Sequence, residues 1–445
     1  MFQFPKDLYA DVRIEETFKL WLNIQNGDVE DDVCIRENGA IIRVFDGNMW
    51  YSATTNKLDE IQKELDNLAT LAKPNPDIWE HPVVKKYQVN KENVLKFDDH
   101  KNVQKKNRND WMNLVNTYVE ACVDASIPEI STWNVYADCG YYKKSFFSGK
   151  GAEVIQDLQN CVLRVGYGIT VDGVTTNVGK EFSKFCMEDL YGHEEEVLKA
   201  REKGLNFAKN AVILEPGQYT CILGPRATAI FTHESFGHKS ESDFMLNDKT
   251  LQEEWVIGNK VGSEKISICD KGDWLHNGYA PYDDEGTKAT ETWLMKEGVL
   301  TGRLHDANSA VVLKEELTGN ARARDYSCAP LVRMTNTFMA AGQDDPQKMM
   351  EEVEDGIYIE SIQSGTGQAV FTMNPFISYR IREGKLCEPV RINVLTGNVF
   401  ETLYDVDAVG SDLEIIDTGG CGKHGQWIKV SIGGPSIRVK KLTVN

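Results

Sequence analysis

Phe231-Thr232-His233-Glu234-Ser235-Phe236-Gly237-His238 places two imidazoles and a carboxylate within a single short stretch. Just before it, Gln218-Tyr219-Thr220-Cys221-Ile222-Leu223 reads as a strand. Gly224-Pro225 then turns the chain, and proline suits the first position of a helix. This order puts His233 two turns into a helix entered directly from a strand. A helical His-Glu with a second His nearby is a pattern of zinc hydrolases, which hold a metal and keep a base beside it. The spacing departs from the usual four. Residues five apart diverge by about 140° on a regular helix, against about 40° for residues four apart. The helix therefore either widens into a π turn or unwinds before His238. Gly237 sits where the distortion falls, and glycine tolerates distortion at least cost. Two His and a carboxylate also bind non-haem iron, but there the carboxylate must be a ligand. Glu234, adjacent to His233, points elsewhere on a helix and reads as a base.

A closed site needs a third ligand from elsewhere. The candidate stretch is Asp417-Thr418-Gly419-Gly420-Cys421-Gly422-Lys423-His424-Gly425-Gln426. Its glycines allow the backbone close to another element. The composition also resembles a phosphate loop, but no strand-loop-helix pattern or following Ser/Thr supports that. Cys421 and His424 both qualify chemically, and spacing does not choose between them.

A wider set of blocks resembles a known family. His233-Glu234-xxx-His238 is followed by Asp243-Phe244, Asp283-Asp284-Glu285-Gly286-Thr287, Leu304-His305-Asp306, Thr318-Gly319-Asn320 and Arg333-Met334-Thr335-Asn336-Thr337. Cys421-Gly422-Lys423-xx-Gln426 closes the series. In this order, over roughly residues 213–443, the chain resembles the TldD/PmbA metallopeptidases, long called modulators of DNA gyrase. The resemblance implies zinc held by His233, His238 and Cys421, with Glu234 catalytic. It also implies peptide substrates held as an added strand, and assembly as a homodimer or as a heterodimer with a zinc-less PmbA-like partner. Because every zinc element is retained, the chain resembles the TldD side. After the second His the family commonly has Gly-Leu-Glu-Gly, whereas this chain has Lys239-Ser240-Glu241-Ser242. That difference falls on the pocket rim. His305, Arg333 and Asn336 are candidate substrate contacts; arginine suits carboxylates. The rival readings are a non-catalytic subunit or regulator in which zinc staples two regions, and a metal hydrolase of another bond.

Composition bounds these readings. The 445 residues are 41% hydrophobic and 26% charged, ordinary for a globular protein of two or three domains. With 49 basic against 68 acidic residues, the net charge is −19. That argues against nucleic acid as a partner, because phosphate contacts need a basic face. The beginning, Met1-Phe2-Gln3-Phe4-Pro5, has no basic end followed by an apolar run, and no stretch approaches 18 apolar residues. A cytoplasmic location without a membrane span is the expectation. The 10 cysteines are scattered, as reduced core thiols are.

The predicted class is α+β: an N-terminal unit (1–85), a central region (86–212) and a strand-rich catalytic domain (213–445). Residues 17–53 read as short strands with turns at Asn26-Gly27 and Asp46-Gly47. Asn56 is the expected cap of a helix carrying Leu58, Ile61, Leu65, Leu68 and Leu71, ended by Pro74-Asn75-Pro76. Lys105-Lys106-Asn107-Arg108 reads as a solvated face. The next helix turns Trp111, Leu114, Val115, Tyr118 and Cys122 to one side. Ser131–Val174 reads as a meander with a helix-like Ala152–Asn160 inside it and a turn at Asp172-Gly173. Glu194–Lys209 reads as a charged helix. Glu297-Gly298 and Glu383-Gly384 mark further hairpins.

Overall fold

Asn26 and Gly27 both take positive φ, 51° and 96°, as a mirror-image two-residue hairpin turn requires. They reverse the chain between β1 (Tyr9–Gln25) and β2 (Asp28–Phe45). In this computed structural model, residues 2–445 are described except Ala125, Gln368, Ala369 and Thr418; Thr418 of the glycine-rich stretch thus lies outside the described residues. The strands are far longer than the sequence implied, 17 and 18 residues. With β3 (Trp50–Thr55), β4 (Lys91–Val94), β5 (Ile130–Ser148), β6 (Glu153–Val171) and β7 (Val174–Lys184) they form one seven-stranded sheet. Its order is β3-β2-β1-β5-β6-β4, with β7 also on β6. β1 pairs with β5 from Asp11↔Ser148 to Gln25↔Asn134. The expected division between 85 and 86 therefore does not divide the sheet.

Alternation along β1 gives this sheet two different faces. Ala10 and Val12 pack with Ile42 and Val44 against Ile61, Leu65 and Leu68 of the helix Ile61–Leu71. Further along the same face, Phe18, Leu20 and Leu22 meet Trp111, Leu114, Val115, Tyr118 and Cys122 of the helix Arg108–Cys122. All five of those helix residues are buried, as the periodicity predicts. Asn107 and Asp110 close a capping box at its start, and Lys106 and Arg108 pair with Glu188 and Asp32. The first helix departs from expectation at both ends. A 3-10 turn, Leu58–Glu60, precedes it, and Thr55 rather than Asn56 accepts a backbone N–H there (Lys57, 3.0 Å). Leu71 is 67% exposed.

The stretch expected to be helix-like, Ala152–Asn160, is strand from Glu153 onward. Its polar residues obscured the alternation because loops cover them and use their hydrogen bonds. Asp157 accepts from the N–H of Lys96 and Phe97, and Gln159 Oε1 accepts from that of Val103.

The opposite face of β1 carries Asp11, Arg13 and Glu15, all buried. The C-terminal region covers it. Arg13 donates to the carbonyls of Asp325 and Cys328 (2.7 and 2.8 Å). Lys144 pairs with Asp284 (3.0 Å), and Arg43 lies 3.9 Å from Glu285. The Asp283-Asp284-Glu285 block thus sits in a buried ionic seam.

The charged helix Glu194–Asn210 leads into Val212–Ile213, which pairs with Lys385–Arg391 in a second sheet. In that eight-stranded sheet Gly217–Leu223 lies between parallel Asp355–Gly367 and antiparallel Ile437–Val444. A third, six-stranded sheet includes Ile268–Lys271, Asn336–Met339 and Ser431–Gly434. The helix Pro225–Phe231 packs against both, touching Asp355–Gly367 on one side and Ser431–Gly434 on the other. Phe231, Phe236, Met334 and Phe371 belong to the core around it. The fold is α+β, with a strand-rich C-terminal half. Among the described residues, no helix is long and apolar enough to cross a membrane.

Candidate metal centre

Pro225 opens its helix at the first turn, and the chain then widens into a π-helical segment, Thr232–Gly237. The N–H of His238 donates to the carbonyl of His233, five residues back. This bond is the local answer to the unusual spacing. A wider turn brings residues five apart onto one face, and the two imidazole rings lie with centroids 5.0 Å apart. Gly237 is needed for a different reason from the one its position implied. Its φ of −57° and ψ of −49° are ordinary helical values. A Cβ there, however, would stand 2.3 Å from the sulfur of Met334, which is fully buried.

The glycine-rich stretch forms a hairpin, Gly420–Lys423 with Gln426–Lys429. His424 (φ 48°) and Gly425 (φ 77°) make its turn. Cys421 therefore points inward from the strand, while His424 stands at the tip beside Phe244. One ligand atom each from His233, His238 and Cys421 falls within 4.8 Å of the others. Cys421 Sγ is 3.3 Å from His238 Nε2. His424 is not in this group. Three ligands held about 2.0–2.3 Å from one ion require such a spread, and two imidazoles with a thiolate suit zinc. His233 Nδ1 is buried without a hydrogen-bond partner, so the donor set fits a cation.

The electrostatics separate the groups. Burial first, then the charges of His238 and Arg333, hold His233 well below the usual imidazole range; a neutral ring is what a metal ligand must be. Burial opposes charge on His238 too, but hydrogen bonds to Cys421 and Glu241 outweigh it and raise that group to about 10. Burial lifts Glu234, with His238 pulling the other way. Glu234 Oε2 lies 4.0 Å from His238 Nε2. Both side chains line an open cavity of about 560 Å³, together with Phe244, Val370, Lys423 and His424. Asp355–Gly367 passes along one wall, where a Cβ on Gly365 would meet Glu234 Cγ at 3.4 Å. A second cleft of about 250 Å³, lined by Thr176, Phe207 and Arg391, contains none of these groups.

The three candidate substrate contacts lie elsewhere. His305 is 1% exposed and bonds Ser309 and Glu315 (3.1 and 2.9 Å). Asn336 donates to the carbonyls of Lys271 and Trp274 and accepts the N–H of Gly278. Arg333 is fully buried and donates to the carbonyls of Cys421 and Gln426. Apart from Arg333 Nε, which has no hydrogen-bond partner, their side-chain polar atoms bond inside the protein, and none of the three lines the cavity. Sequence reasoning passed over Glu241, which accepts from His238 Nδ1 at 3.1 Å. The signal was present: Glu241 stands three residues after His238 and is the one residue shared with Gly-Leu-Glu-Gly.

Family models described as the PmbA/TldA metallopeptidase C-terminal domain and domain 1 match residues 216–445 and 10–73. A protein named as a metalloprotease from Synechocystis is 36% identical over 278 residues, 61% of this chain and 60% of that protein. A metalloprotease from Archaeoglobus fulgidus is 32% identical over 67% of this chain and 72% of its own length. A zinc metalloprotease TldD homolog from Saccharolobus solfataricus is 27% identical over 98% and 96%. Among solved structures, a putative modulator of DNA gyrase from Thermotoga maritima superimposes with a TM-score of 0.78 at 18% identity, covering 98% of this chain and 96% of that one. TldE from Thermococcus kodakarensis gives 0.75 at 14%, with the same coverage. At these identities the structural likeness concerns the fold.

Proposed function

Because the chain belongs to the PmbA/TldD metallopeptidase family, we propose that it is a zinc-dependent peptidase acting on short or unfolded peptides. In this reading His233, His238 and Cys421 hold the zinc and Glu234 is the general base. The observation that carries it is the meeting of three donor atoms within 4.8 Å at a cavity that Glu234 also lines. When bound there, zinc supplies Lewis acidity toward water and a peptide carbonyl. Glu234 takes a proton from the attacking water at its carboxylate and returns it to the leaving amine. Burial raises its affinity for protons, which favours taking one from water. Glu241 keeps Nδ1 of His238 occupied, which leaves Nε2 facing Cys421.

The peptide is read as an added strand, held more through backbone than side chains. The partner is either a second copy or a zinc-less PmbA-like chain. A zinc that only staples two regions would need no base and would have its fourth position filled by protein. Glu234 and the open cavity favour the enzyme. The test is a random peptide pool incubated with purified protein, with and without chelator, and searched for new termini by mass spectrometry. Chelator-sensitive new termini are the expected result. Glu234→Gln should keep zinc and lose cleavage, and a variant cutting at the parental rate would remove Glu234 from this role.

A further inference from the structure

Cys421 and Lys423 are two residues apart on one strand, so they share a face. Both are buried, at 3% and 6% exposure, while Gly422 between them is exposed. They approach opposite sides of one imidazole. Cys421 Sγ lies 3.3 Å from His238 Nε2. Lys423 reaches the other side through Glu241: its Nζ donates to Glu241 Oε2 at 3.2 Å, and the same oxygen is 3.1 Å from His238 Nδ1. Lys423 also donates to Asp243 Oδ1 (2.6 Å) and to the carbonyl of Val332 (3.0 Å). Arg333 completes the arrangement. Its Nε is 3.9 Å from Glu241 Oε1, while its terminal nitrogens bind the carbonyls of Cys421 and Gln426 on the hairpin.

Glu241 is fully buried. A buried carboxylate persists only when opposite charge and donors surround it; here two cations and an imidazole do so. A carboxylate on one ring nitrogen sets the tautomer and orientation of the other, and such partners commonly govern metal affinity. We propose that Lys423, acting through Glu241 and with Arg333, is a positioning residue that sets the ring orientation of His238 and its approach to Cys421. Zinc affinity at this centre then depends on a lysine that is not itself a ligand. The inference rests on the metal reading above. It goes beyond that reading in giving the cavity-lining Lys423 a task at the metal instead of at the substrate.

The test uses the full chain with Lys423→Met, Glu241→Gln, the double variant, and Glu241→Asp. The last keeps the charge but withdraws it by one methylene, so it remains informative if loss of charge prevents folding. Zinc dissociation constants come from competition with a chromophoric chelator. Cobalt(II) spectra report the thiolate contact and the ligand geometry, and urea unfolding of the metal-stripped proteins reports stability. Each single variant should bind zinc roughly 10- to 100-fold more weakly. The double should be no weaker than the worse single, because both act through one ring, and the cobalt bands should shift. If zinc affinity and cobalt spectra stay within about twofold of the parent while urea midpoints fall, Lys423 is only a structural counter-ion and the inference is overturned. Should the parent itself take up no zinc, the metal reading fails first and takes this inference with it.

Discussion

The ionic seam between the first sheet and the C-terminal region should make stability fall as pH rises, and Glu285→Gln tests this. Glu285 is pushed up to about 8, by burial first and then by Asp306, with Arg43 opposing; Asp283 also contributes to the rise. Asp283 itself is raised to about 7, mainly by burial, and Asp284 is lowered to about 2, where Lys144 and Arg13 overcome the burial that opposes its charge. A carboxyl whose folded value exceeds its unfolded one favours the folded state in its neutral form. Its contribution is full below the unfolded value, about 4.3 for glutamate, and is lost as pH rises through about 8. Between pH 6 and pH 8 Glu285 alone then removes about 2 kcal/mol, a slope of roughly 1.4 kcal/mol per pH unit that flattens as the folded group itself ionises near pH 8. Asp284 has the opposite sign and acts only in acid, below the usual carboxylate range, so it leaves this window untouched. Glutamine keeps an acceptor for the N–H of Ala307, which Glu285 Oε2 accepts at 3.1 Å, while removing the titration. Urea unfolding at pH 6, 7, 8 and 9 should show the parent losing stability steeply up to pH 8, with the Glu285 contribution levelling off between pH 8 and 9. Glu285→Gln should lose less by the Glu285 contribution, and keep the slopes owed to Asp283 up to about pH 7 and to His238, raised to about 10, above that. Parallel curves for parent and variant would refute the reasoning.

Two further outcomes follow from the site. Cys421→Ser should weaken zinc binding strongly while His424→Ala leaves it near the parental value, measured by chelator competition; equal effects would mean the hairpin tip contributes a ligand. Gly237→Ala should destabilise the protein despite alanine's advantage of about 1 kcal/mol in a helix. The new methyl meets Met334 sulfur at 2.3 Å, and overpacking a filled core costs about 1–3 kcal/mol. A variant melting above the parent would show that Met334 moves aside freely.

Much of the site could be read from His233, Glu234 and His238. Five-residue spacing cannot keep two side chains together on a regular helix, so a widened turn or an unwound one had to follow, and Thr232–Gly237 is the former. Hairpin turns were equally legible, because Asn26-Gly27, Asp172-Gly173, Glu297-Gly298 and Glu383-Gly384 all take the positive φ values their sequences favour. The helix face from Trp111 to Cys122 followed from period alone. Misreadings fall where a distant segment supplies the partner. Ala152–Asn160 hides a strand because loops bind its polar side chains. His305, Arg333 and Asn336 carry functional-looking groups that the interior uses for its own hydrogen bonds.

The sequence by itself determined the local geometry of the donor pair, the turns, the helix faces and the family blocks, since each depends on residues near one another along the chain. Spacing left Cys421 and His424 equal as partners for that pair, and only the family blocks favoured Cys421. The tertiary structure separated them: a turn at His424-Gly425 sends the histidine to the tip and the cysteine inward, and Arg333 ties that hairpin to the core. Glu241 and Lys423 acquired their places in the same way. Which atoms meet across about 180 residues depends on strand pairing and on charges that must find one another once water is excluded, and no spacing along the chain encodes that.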